Sequence, residues 1–151
     1  MIRMRSKVFN TTFENMLRLL LLADTLNAPA NVDRLAALDF ICIYGKKCKV
    51  LDKNLHGDNE FGFAEFTNKR EKITEAVKLS VRNDFFKVEH TDQGFLYSIN
   101  DRGRQVVQGV QSPYAKAYVV GAKIVCRRFS NCTDEGVLQY ISDRATESKE
   151  A

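Results

Sequence analysis

Apolar residues recur along this chain at two different spacings. At Phe13, Met16, Leu17, Leu20 and Leu21 they fall three and four apart, the period of one helix face. Leu19 and Leu22 widen that face beyond a single stripe, so this helix is central in the fold or covered by a partner on its second side. Thr11 and Glu14 stand at capping-box spacing and place its start near Thr12, and the segment Asn27-Ala28-Pro29-Ala30 ends it. A second helix opens at Asn31 or Val32, with Asp33 in the first turn where a negative charge suits the helix dipole. Val32, Leu35, Leu38, Ile41 and Cys42 form its inner face, flanked by Phe40 and Tyr44, and Gly45 is placed to end it. In a third helix, capped by Thr67 or Asn68, the residues Ile73, Ala76, Val77, Ser80 and Val81 turn inward.

The period then changes to two. Phe86, Val88 and His90 alternate on one side of the turn residues Asp92, Gln93 and Gly94, and Phe95, Tyr97 and Ile99 alternate on the other, which predicts a β-hairpin over 85–99. Asn100 can cap a following helix with Val106 and Val107 on its inner edge. Tyr97, Ile99, Asn100 and Gly103 together resemble the wing-to-helix junction of winged-helix proteins. Ser112 and Pro113 start another helix, with Tyr114, Ala117, Tyr118, Gly121, Ile124, Val125 and Phe129 available for packing and Arg127 and Arg128 at its basic end. Its small residues Ala115, Ala117, Gly121 and Ala122 would let another helix approach closely. Thr133 caps a last short helix through Leu138 and Ile141, and residues 142–151 read as a polar, frayed tail. The fold expected is mainly α with a small β-hairpin: one winged-helix domain over 11–141 with extra C-terminal helices, preceded by a basic segment over 1–10.

Between the second and third helices, residues 46–66 lose periodicity, with Gly57, Asp58, Asn59 and Gly62 as turn formers and Leu55, Phe61, Phe63 and Phe66 as apolar pegs. A loop this long in a compact domain usually serves a purpose, and a partly extended docking loop or a surface insertion tacked down by its phenylalanines both fit.

Composition narrows the class. A chain of 151 residues with 44% hydrophobic and 28% charged residues can bury a core without staples. The leucine run is broken by Arg18 and Asp24, well short of the ~20 residues a membrane span needs, and no signal-length apolar stretch follows the basic start. These features place the chain in the cytoplasm, with no membrane partner. Cys42, Cys48, Cys126 and Cys132 are then reduced thiols acting as small hydrophobes, and the sequons at Asn10 and Asn131 have no meaning there.

Candidate chemistry is sparse. Gly45-Lys46-Lys47 lacks the other parts of a phosphate-binding loop. The two histidines, His56 and His90, have no partner at metal-ligand spacing, although His56 beside Asp58 and Glu60 could serve alone as an acid or base. No serine stands in a nucleophile elbow. The expectation is a non-enzymatic binding module with no cofactor, no metal and no catalytic residues.

Asp33-Arg34-Leu35 with Leu38-Asp39-Phe40, then Asn54-Leu55-His56, Lys69-Arg70 and Ser112-Pro113-Tyr114-Ala115, resemble the middle component of bacterial three-component ABC-ATPase (ABC-3C) systems, over roughly residues 12–129. That family is similar to the small accessory subunit of Lamassu-type defence systems. The resemblance implies a winged-helix adaptor whose companions are an SMC-like ATPase and an effector nuclease, acting against phage or plasmid DNA.

Two functional readings follow. As an adaptor, the chain docks on the ATPase through the first helix, the long loop and the helix from Pro113, which nominates Leu19, Leu22, Leu55, Phe61, Phe63, Tyr114 and Tyr118 for partner contact. As a homodimeric winged-helix transcription regulator, it reads an operator with Lys69, Arg70, Lys72, Lys78 and Arg82 on the third helix. The net charge of +4 and the interspersed Glu71 and Glu75 favour the adaptor.

Overall fold

The computed structural model describes residues 11–56 and 66–150. The basic segment 1–10 and the loop residues Gly57, Asp58, Glu60, Phe61 and Phe63 lie outside the described residues. Three helices lead the fold: α1 (Thr12–Leu26), α2 (Val32–Ile43) and α3 (Phe66–Arg82). The hairpin β1 (Phe86–Thr91) and β2 (Gly94–Ile99) follows, then α4 (Asp101–Gln108), α5 (Pro113–Arg128) and α6 (Asp134–Glu150).

The width of the apolar face on α1 has an internal cause. α1 is the central element, packed against α2, α3, α4, α5 and β2. Leu19 and Leu22 are fully buried there, so they serve the core and are not available to a partner. Phe13, expected on the inner face, is instead 58% exposed. The Thr11 hydroxyl accepts the Glu14 N–H at 3.1 Å, and Asn27 closes the helix in the left-handed region at φ 51°.

On α2 the run from Leu35 to Ile43 is buried without interruption, because α1, α3, α5 and α6 surround it. The first half of the long loop is neither extended nor open. It closes into turns in which the Asn54 side chain accepts the N–H groups of Lys46 and Lys47, Leu55 bonds back to Ile43, and Cys48 is buried. α3 starts at Phe66, ahead of the caps expected at Thr67 or Asn68, because Phe66 packs edge-on against Phe40 with ring centroids 5.1 Å apart.

In the hairpin, Phe86 pairs with Ile99, Val88 with Tyr97 and His90 with Phe95, and Gly94 takes φ 108°, a value that favours glycine. Ala30 adds a bridge to the outer side of β2, exchanging hydrogen bonds of 2.8 and 2.9 Å with Tyr97. At the junction with α4, Asn100 accepts the Gly103 N–H at 2.9 Å while its amide donates to the Asp84 carbonyl. Gly103 is required by proximity, since a Cβ there would lie 2.5 Å from the Phe85 carbonyl oxygen. Three helices, a hairpin bridged by the α1–α2 connection and a returning helix make an arrangement compatible with a winged helix.

The expected tail from Ser142 is helical, since α6 continues to Glu150. Its polar residues find partners: Arg144 lies over the Tyr140 ring and pairs with Glu147, which also pairs with Lys49. Among the described residues no helix is long and apolar enough to cross a membrane.

Candidate functional site

A charged residue inside a leucine run needs an explanation, because burying an unpaired guanidinium is costly. Arg18 is 1% exposed, and Nε and Nη2 donate to Asp39 Oδ1 and Oδ2 at 3.0 and 2.9 Å, a bidentate bridge between α1 and α2. From α5 the Tyr118 hydroxyl donates to the same carboxylate at 2.7 Å. Burial alone would raise the Asp39 pKa, but Arg18, the nearby Lys69 ammonium and the Tyr118 hydroxyl hold it down at about 2. Arg18 stays firmly protonated: burial opposes its charge, and the Asp39 carboxylate outweighs that.

The network continues outward. Arg18 also hydrogen-bonds the Tyr114 oxygen, and the Tyr114 hydroxyl and His56 Nε2 lie 2.7 Å apart. Burial, and then repulsion from Arg18 and Lys69, pushes the His56 pKa down to about 4, so its imidazole is neutral near pH 7 and shares a hydrogen bond with the tyrosine hydroxyl. Burial likewise pushes the Tyr114 and Tyr118 hydroxyls above their ordinary range. The four segments that carry the family resemblance thus send Asp39, His56, Lys69 and Tyr114 to one place around Arg18. Arg18 and the bridging role of Asp39 were not assigned from sequence; the signal was a lone charge inside each apolar run, Leu17 to Ala23 and Leu35 to Ile43.

A second polar cluster braces the C-terminal end. Arg34 donates to the carbonyls of Phe129 and Cys132 at 2.7 and 2.9 Å and pairs with Asp134, while the Asn31 amide donates to Asp134 at 2.8 Å. These bonds tie α2 to the carbonyl at the C-terminal cap of α5, Phe129, and to the turn through Cys132 that leads into α6.

The cations nominated on α3 are not equivalent. Lys69 is buried beside Asp39, and Arg70 is tied to Asp33 on α2. Lys72, Lys78 and Arg82 are exposed, with Lys78 loosely paired to Glu75 at 3.5 Å. Of the residues nominated for partner contact, Tyr118 is buried in the network, Tyr114 and Leu55 are half-buried against the core, and Leu19 and Leu22 are internal.

Exposed apolar side chains occur elsewhere. Val81, Val88 and Phe95 line a groove of about 370 Å³ between α3 and the hairpin, together with Val77, Lys78, Arg82 and Tyr97. Val120 and Ile124 stand on the outer face of α5 beside a groove of about 350 Å³ that includes Leu51 and Leu55. The thiols of Cys42, Cys48 and Cys126 are raised by burial, the last two to about 12 and about 11, which suits packing rather than reactivity. Among the described residues no cluster of His, Cys, Asp or Glu could hold a metal ion.

The chain is thus a small helical protein with an internal charge network and two outward apolar grooves. A family model described as ABC-three component (ABC-3C) system Middle Component 2 matches residues 8–151, and the chain belongs to that family. It is therefore one component of a three-component ABC system. No curated protein and no solved structure matches it.

Proposed function

We propose that this chain is a non-catalytic, cytoplasmic accessory subunit, a winged-helix adaptor that docks on the SMC-like, ABC-type ATPase of its system. Through that ATPase it serves an effector nuclease in defence against phage or plasmid DNA, in the manner of the small subunit of Lamassu-type systems. The observation that carries this reading is membership in the middle-component family along almost the whole chain. Two structural features support it. The strongest titratable cluster is spent on internal hydrogen bonds between α1, α2 and α5. The cations that a DNA-reading α3 would use are partly withdrawn, Lys69 into the core and Arg70 onto Asp33.

The test is to purify the tagged chain gently from its native cell, at native level, and identify by mass spectrometry what accompanies it. Co-purification of a large ABC-type ATPase in stoichiometric amount is the expected result. Recovery of the chain alone, or only as its own dimer, overturns the adaptor in favour of the regulator.

A further inference from the structure

The inner face of the hairpin does not stop where the core stops. Phe86 and Ile99 are buried, and the same face continues through Val88 and Tyr97 to Phe95, which is 52% exposed beyond the body of the fold. Opposite stand Val77 and Val81, one helical turn apart on α3. The result is a trough with a helix for one wall and a hairpin for the other, apolar along its floor. Three of the six exposed large apolar residues among the described ones lie in it. Isolated exposed apolar residues need no explanation, but a contiguous set lining a concavity does.

The rim fixes the chemistry of the occupant. Lys78 and Arg82 lie along the α3 wall, Lys78 holding only its loose contact with Glu75 and Arg82 making no ion pair among the described residues. Duplex DNA would satisfy those two cations but leave Val81, Val88 and Phe95 against a solvated phosphate backbone. A second copy of this chain meets like charge: groove on groove would oppose Lys78 and Arg82 to themselves, and the Val120–Ile124 ridge is flanked on its own helix by Lys116, Lys123, Arg127 and Arg128. An apolar segment with flanking carboxylates fits both floor and rim, and a groove of about 370 Å³ suits a few anchors at i, i+3 or i+4 on a short amphipathic helix.

We propose that the groove between α3 and the hairpin is a docking site for an acidic amphipathic helix of a companion subunit. This deepens the adaptor reading and rests on it for the source of the helix.

The test uses the purified three-component complex, with p-benzoylphenylalanine replacing Phe95 and, as a control, Val120. Irradiation is expected to join position 95 to a companion segment bearing apolar anchors beside Asp or Glu. Val88→Asp and Arg82→Glu, both at exposed positions and so expected to keep the wild-type melting curve, should weaken the complex about tenfold or more. A reversed charge on the cross-linked companion acid should restore binding to Arg82→Glu. An intact complex without a cross-link at position 95, or with one only to DNA or to another copy of this chain, overturns the groove and leaves the adaptor standing. A wild-type chain that joins no companion removes the adaptor reading and the groove with it.

Discussion

Asp39 accepts three hydrogen bonds, two from Arg18 and one from Tyr118, and has no exposure to water. Removing it strands the Arg18 guanidinium in the core. Asp39→Ala should therefore cost about 3–5 kcal/mol, read as a lower urea midpoint, whereas Arg18→Met with Asp39→Leu should recover most of that loss. If the double variant is as unstable as the single, the pair is needed for more than mutual neutralisation. His56 gives the network a pH dependence of definite sign. Its pKa is about 4 folded against an ordinary value of 6.5, so between those limits the unfolded chain binds more protons and stability rises with pH. The contribution, on the order of 1–3 kcal/mol after allowing for partial solvent access, is fully present above pH 6.5 and lost as pH falls toward 4. Asp39, held at about 2 against 3.8, adds a loss of the same sign at lower pH. Unfolding midpoints measured from pH 8 to 3 should show the first step in the wild type and not in His56→Gln. This network was only half legible in the sequence. Each lone charge was visible, but Arg18 and Asp39 are separated by 21 positions, and nothing local says that two helices will bring them together.

At the scale of elements, what could be read was whatever is decided within one turn. The side chains of Thr11, Asn100 and Ser112 all accept the backbone N–H three residues ahead, as their spacing implied, and Asn31, read only as one of two places where α2 opens, does the same. What could not be read was decided by packing from a distance. Phe66 joins α3 because Phe40 receives it, α6 runs past Ile141 because Tyr140, Arg144 and Lys49 engage its far half, and the Ala30 bridge is one residue with no period of its own. Gly103 lies between these cases, since its place in a pattern was visible and the contact that demands it was not. In Gly103→Ala the intrinsic helix preference favours alanine by roughly 1 kcal/mol, but the new methyl meets the Phe85 backbone oxygen and the Ile99 side chain at 2.5 and 2.6 Å. The backbone of the α3–β1 connection cannot turn aside as a flexible side chain would, so the net effect should be a loss of about 1–3 kcal/mol by chemical denaturation. A more stable variant would mean that the hairpin yields, and that its position against α3 is soft.

For the molecule as a whole, the placement of charge separates the two functional readings more sharply than its total. A net charge of +4 is compatible with either. Of the five cations nominated on α3, however, only Lys72, Lys78 and Arg82 remain exposed and clear of the rest of the fold. Three phosphate contacts give a slope of about −3 in log affinity against log salt and support only non-specific binding, with Kd on the order of 10⁻⁴ to 10⁻⁶ M at physiological salt. The isolated chain should therefore bind duplex DNA weakly and without regard to sequence, as followed by fluorescence anisotropy across a salt series. The triple change Lys72→Ala, Lys78→Ala and Arg82→Ala should remove that binding, while Arg70→Ala, whose guanidinium is held by Asp33, should leave it nearly unchanged. Nanomolar binding to one sequence with a much steeper salt slope would require cations that this face of α3 does not present. It would move the DNA contact to another surface and return the regulator to first place.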